Sequence, residues 1–212
     1  MNMSRRDALK TLMLGSGVAL ASSSLLSVAN RVYAAVAKGE AMDLAFLKAD
    51  QAKDIELMTH IILPKSAELP GAQDVAIVPF IDAVYAKLMS AEEQEKFLRG
   101  LSLVQKQFRE EQGASFSQAS EDARVSFISA LYNLPESDKW ETLKLIDLSQ
   151  APAGKEDIYH LYHFLFNLRA LTLEGYFNSE LVGESVTAYL PVPGPYDADM
   201  TIDENTRVWS IN

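Results

Sequence analysis

The stretch that most constrains this chain runs from Ile158 to Leu173: Ile-Tyr-His-Leu-Tyr-His-Phe-Leu-Phe-Asn-Leu-Arg-Ala-Leu-Thr-Leu. Wound into a helix, it shows apolar side chains around the whole cylinder, and such a helix is buried on most sides. It is expected to be the central helix of a domain, or to present one face to another protein. Helical periodicity elsewhere provides its neighbours. Residues 51–62 set Ile55, Met58 and Ile62 on one side, and residues 78–89 space Ile81, Val84, Tyr85 and Leu88 by the helical repeat. Ser90-Ala91-Glu92-Glu93 reads as a capping box. It opens a helix striped by Phe97, Leu101, Val104 and Phe108 and ended by Gly113. A further helix follows Ser120, with Val125, Ile128, Leu131 and Tyr132 inward and Pro135 closing it, and a shorter one spans Trp140 to Asp147. No long run alternates with period two and no Asn-Gly hairpin occurs. The expected fold is all-α, an irregular bundle of five to seven helices.

The two ends depart from this pattern. Pro70-Gly71 is a turn signal, with Pro70 presetting one dihedral and Gly71 allowing positive φ. From Pro191 through Val192, Pro193, Gly194, Pro195 and Tyr196 there are too many prolines for a helix or a central strand. This extended Pro-rich C-terminal tail, with Tyr189, Tyr196 and Trp209, must lie on a surface, either its own domain's or a partner's.

At the N-terminus, Arg5-Arg6, followed by Leu9 and Lys10, resembles a twin-arginine (Tat) export signal, and Thr11 to Asn30 is a 20-residue run without charge. Ser and Gly dilute that run, which makes it a poor permanent membrane span. Val32-Tyr33-Ala34 and Ala35-Val36-Ala37 both fit the small-x-small rule for cleavage. The expected organisation is a signal peptide at 1–37 and a helical domain at 38–212, in a periplasmic protein. Loss of residues 1–37 takes Arg5, Arg6, Lys10 and Arg31 with Asp7, and moves the net charge from −10 to −13. So acidic a chain repels phosphate backbones, which argues against nucleic acid as a partner. With no cysteine, disulfides, Cys-ligated zinc, iron–sulfur clusters and covalently attached haem are excluded from this chain.

Chemistry-bearing patterns are few. His160 and His163 stand three apart, with Asp157 three before His160. A di-iron bundle needs two Glu-x-x-His pairs and two further Glu, and Glu56 with His60 has the wrong spacing for the second pair. Two readings remain: histidines bonded within a packed helix, or a metal- or haem-binding helical protein that acts alone in the periplasm. Gly183-Glu184-Ser185-Val186-Thr187 lacks the closing glycine of a nucleophile elbow. No glycine-rich loop follows a strand, so nothing supports a nucleotide cofactor in this chain. No catalytic, cofactor-binding or metal-ligating set is assigned.

Leu171-Thr172-Leu173-Glu174-Gly175-Tyr176-Phe177-Asn178-Ser179-Glu180, then Tyr189-Leu190-Pro191-Val192-Pro193-Gly194-Pro195-Tyr196, resembles the C-terminal signature of the gluconate 2-dehydrogenase subunit 3 family. Ile61-Ile62-Leu63-Pro64, Pro70-Gly71-Ala72 and Phe80-Ile81-Asp82 resemble its N-terminal block. The family form usually has Thr where Asn178 stands, and Glu68 could supply the acidic residue common between the two prolines. The resemblance implies a small, non-catalytic subunit. Its partners would be a large FAD-dependent oxidoreductase of the glucose-methanol-choline (GMC) type and, in many members, a c-type cytochrome that carries haem. The small subunit would act as a chaperone, escorting the FAD-loaded large subunit through the Tat translocase and stabilising it, and the assembled complex can be membrane-associated. On this reading Gly175, Tyr176, Phe177, Ser179, Glu180, Tyr189, Pro193, Gly194 and Tyr196 are the partner-interface candidates. Gly175 would serve a helix end or a close backbone approach, and Tyr176 and Phe177 would anchor either into this core or into the large subunit.

Overall fold

Serine caps and a left-handed glycine set several of the helix boundaries. Ser90, Ser120 and Ser179 each accept a hydrogen bond on Oγ from the amide three residues ahead, at 3.2, 3.3 and 3.4 Å. Gly113 stops its helix at φ 69°, a conformation that costs glycine little. The structure, a computed structural model, describes residues 22–40 and 42–187. Arg5, Arg6, Leu9, Lys10, Tyr189, Pro193, Gly194 and Tyr196 lie outside the described residues.

Within the described residues there are eight α-helices and no strand. They are α1 Ser22–Ala37, α2 Ala49–Ile62, α3 Ile77–Leu88, α4 Ala91–Gln112, α5 Glu121–Tyr132, α6 Glu136–Ile146, α7 Glu156–Phe177 and α8 Glu180–Ser185. Short 3-10 turns occur at Ala72–Asp74 and Phe116–Gln118. The fold is all-α, as the periodicity predicts. Seven helices follow residue 38, and the eighth, α1, lies in the segment expected to be leader.

The Ile158–Leu173 stretch becomes α7, extended to Glu156 and Phe177 and buried over most of its length. Its principal neighbour is α4, and the two come closest at Gly100. A Cβ on Gly100 would stand 2.3 Å from the His160 carbonyl oxygen and 2.3 Å from Phe164 Cβ. A single glycine therefore sets the separation of the two longest helices. The predicted stripe of Phe97, Leu101, Val104 and Phe108 is wholly buried against this seam. Phe97 lies edge-on to Phe164 at 4.8 Å and against Tyr85 at 4.1 Å, while Phe108 meets Phe116 and Phe127 at 4.9 and 5.0 Å. Each such ring contributes about 2–3 kcal/mol by leaving water.

Asp82 is a second organising residue. Buried on α3, its carboxylate accepts from the amides of Ala45, Phe46 and Leu47 at 2.9, 2.9 and 2.8 Å. This holds the loop before α2 and seats Phe46 on Tyr85.

Three local expectations are corrected. Gly71 has φ −103°, so no left-handed turn requires it. What requires a glycine there is space: a Cβ would stand 2.5 Å from the Lys65 amide nitrogen. Val125 is exposed and Phe127 takes the inward position, because α5 buries only its Phe127, Ile128 and Leu131 side. The helix expected from Trp140 begins at Glu136, with Pro135 as its N-cap, and Trp140 faces outward.

Candidate partner interface

The described family-like segments at 70–72, 80–82 and 171–180 lie far apart in sequence but meet at the C-terminal end of α7. Gly175 is buried in the last turn of that helix. A Cβ there would stand 2.8 Å from Phe80 Cδ1, 3.2 Å from Ile77 Cδ1 and 3.1 Å from the Tyr33 hydroxyl. Of the two roles expected of Gly175, close approach is the one observed. The Tyr33 hydroxyl donates to the Gly175 carbonyl at 2.6 Å. That carbonyl belongs to the last turn, where helix carbonyls lack intrahelical partners.

Tyr176 is also buried, and its hydroxyl donates to the Pro70 carbonyl at 2.7 Å. The Pro70-Gly71 segment is thereby tied to the end of α7. The same segment is pinned by the Ala72 amide donating to the Leu63 carbonyl and the Gly71 amide donating to Asp74, both at 2.9 Å. Burial raises both phenols above their ordinary range, Tyr33 most, with Glu174 adding to that shift and Asp74 to that of Tyr176. Both therefore stay protonated and act as donors. Asn178 closes α7 by donating to the carbonyl of Glu174 at 2.9 Å and to its carboxylate at 3.0 Å. Buried Ser179 donates to the Tyr176 carbonyl at 2.7 Å and then caps α8.

The interface candidates thus divide. Gly175, Tyr176 and Ser179 face inward and build the joint. Phe177 is 55% exposed, its ring edge-on to Tyr176 at 5.3 Å. Glu180 is exposed beside it, Leu181 is 44% exposed, and Leu69, next to the Pro70 acceptor, is 49% exposed. Leu69 and Leu181 were not among the sequence candidates. Their flanking positions on either side of the quoted motifs were the available signal, and it was too weak to single them out.

The histidines of α7 have a different setting. Asn167 donates from Nδ2 to the His163 carbonyl at 2.7 Å and lies 3.2 Å from His163 Nδ1. Burial, then Lys96 and His160, lower the His163 pKa to about 4. His160 is lowered by burial, then by Arg99 and Lys96. Asp157, the third member of the suspected half-site, faces Arg99 at 3.5 Å instead. Among the described residues no group of three or more His, Asp or Glu is placed to hold a metal ion. Cations facing the pair also oppose a further positive charge.

A groove of about 520 Å³ runs between the end of α2 and α5, α6 and α7, lined by Ile61, Ile62, Leu143, Tyr162 and Phe166, with Lys139 and Arg169 as its charged groups. Its lining holds no carboxylate, histidine or cysteine. No helix of the described residues is long and apolar enough to cross a membrane.

Taken together, the described residues define an all-helical domain wrapped around one long buried helix, with exposed apolar side chains at and near that helix's C-terminal end. The model of the family described as Gluconate 2-dehydrogenase subunit 3 matches residues 49–194, and the chain belongs to that family. No curated protein and no solved structure matches it. Membership implies that the chain works as a subunit beside a catalytic partner.

Proposed function

We propose that this chain is the non-catalytic small subunit of a periplasmic FAD-dependent sugar or gluconate dehydrogenase, which escorts its large GMC-type partner through Tat export and stabilises it. The single observation that carries this reading is family membership over residues 49–194. The geometry agrees with it. The motif residues are used in packing, and the exposed Leu69, Phe177 and Leu181 beside them offer the large subunit an apolar anchor. Flavin belongs to the partner in this account. A c-type cytochrome would take the electrons from the large subunit, and the assembled complex can attach to the membrane through it.

Arg5 and Arg6, with Leu9 and Lys10, would address the pair to the translocase. Replacing Arg5 and Arg6 together by Lys tests the escort role. Both subunits are expected to remain in the cytoplasm, read by fractionation and immunoblot. Normal export of the large subunit beside the double variant contradicts the proposal.

A further inference from the structure

The small-x-small sequences at residues 32–37 invite a cut after Ala34 or Ala37, yet α1 covers this region and is built into the core. Its Leu25, Val28, Ala29 and Val32 fall on one helical stripe, and all four are buried. Ala29 and Val32 are 0% and 1% exposed, values of core residues rather than of a peptide resting on a surface. The stripe packs chiefly on α3. Tyr33 stacks on Phe80 with ring centroids 6.3 Å apart, and its hydroxyl reaches the Gly175 carbonyl. The missing side chain of Gly175 thus makes room for two helices at once, α3 and α1.

The candidate cuts are exposed at Ala34, Val36 and Ala37 but fall in helical backbone. Cleavage favours exposed, irregular backbone. Ala34 and Ala35 are helical, and the helix is finished by a hydrogen-bonded turn. In it, Lys38 donates to the Ala35 carbonyl at 3.1 Å, Glu40 donates to the same carbonyl at 3.0 Å, and Gly39 sits at φ 70°. Val32 and Tyr33, which would have to enter the peptidase for a cut after Ala34, are themselves packed on the rest of the domain.

We propose that residues 22–37 are a permanent core helix of this domain, and that the exported protein keeps them, with any removed leader ending before Ser22. The domain then starts at α1, upstream of the family-matched span that opens at residue 49. The core-helix statement stands on packing alone, whereas its consequence for processing rests on the export reading above.

Two measurements on the full chain separate these parts. Amide hydrogen exchange followed by mass spectrometry needs no export. Peptides covering residues 25–34 are expected to exchange as slowly as those of α3, at least about 100-fold slower than unstructured chain. Exchange at the unstructured rate overturns the core helix. The second is the N-terminus of the chain in the exported complex, read by intact mass. A start at or before Ser22 is expected, and a start at Ala35 or Lys38 overturns retention. Absence of the chain from the exported fraction would instead count against the escort reading, and the exchange result would still decide the helix. Val32→Asp in the full chain gives a third readout: its melting temperature should fall by at least about 6 °C. An unchanged melting temperature contradicts the burial argument.

Discussion

The first half and the end of α7 look reversed when sequence and structure are compared. The first half, with Asp157, His160 and His163, carries residue types that do chemistry, yet both histidines are buried in the packing and Asp157 is an exposed partner of Arg99. Asn167 engages His163, Arg99 faces Asp157, and Lys96 adds positive charge. The end, Gly175-Tyr176-Phe177, carries no reactive group, yet Tyr33, Pro70, Ile77 and Phe80 converge on it. Residue chemistry at helical spacing makes a site only when other elements bring matching groups to it. A glycine and a tyrosine become a structural joint when distant segments meet on them.

The largest expected effect lies where α4 meets the first half of α7. Gly100→Val should cost more than about 3 kcal/mol, because the added Cβ meets a backbone carbonyl that cannot move without displacing α7. Urea denaturation would read it. A cost below 1 kcal/mol would mean that the α4–α7 seam is looser than described.

Next comes pH. The folded His163 resists protonation until about pH 4, whereas the unfolded histidine takes up a proton near 6.5. Its contribution to stability is intact above pH 6.5 and is lost as pH falls from 6.5 towards 4. The loss reaches at most about 3 kcal/mol. The steepness of stability against pH in that window should diminish in His163→Gln. An unchanged slope would show that the ring is solvated or engaged differently.

At the other end of the helix, Tyr176→Phe and Tyr33→Phe should each cost about 1 kcal/mol, the ordinary loss from one hydrogen bond that leaves a carbonyl unpaired. Equal costs would support a joint fastened from both sides. If Tyr33→Phe were silent while Tyr176→Phe cost the full amount, α1 would be the weaker fastening.

The smallest effect on stability, within about 0.5 kcal/mol, is expected for Phe177→Asp, because that side chain is mainly exposed. The same variant should weaken association with the large subunit by at least about tenfold, as for an interface aromatic. Affinity capture on co-expressed subunits would measure this. Retention of full affinity would move the interface away from the end of α7.

Much of this architecture was legible in the sequence because its signals are local. The Phe97-to-Phe108 stripe keeps one helical period over several turns, and Ser90 and Gly113 mark its ends. α5 misled because it is short and mixed: Val125 and Phe127, two apart, point to different sides, and only tertiary contact chose between them. Gly100 is a lone glycine inside a strong helical pattern, a signal that often marks close packing but does not say against what. Gly71 was read through its dihedral freedom when the constraint was the neighbouring Lys65 backbone. The joint itself could not be read at all. Tyr33 and Gly175 are 142 residues apart, as are Pro70 and Tyr176 by 106, and no local pattern encodes such pairings. The same holds for α1, whose mild hydrophobicity suits an export leader and a core helix equally.

The central claim is that this domain exists to hold another, catalytic polypeptide. The most direct test is to tag the full chain, co-express it with the proteins encoded beside it, and record mass, flavin absorbance and sugar-dependent dye reduction of the purified material. The account predicts a yellow, active assembly much larger than the 23.4 kDa chain, with all flavin and turnover lost when the large subunit is omitted. A chain that purifies alone and reduces dye by itself, or carries its own prosthetic group, would contradict it.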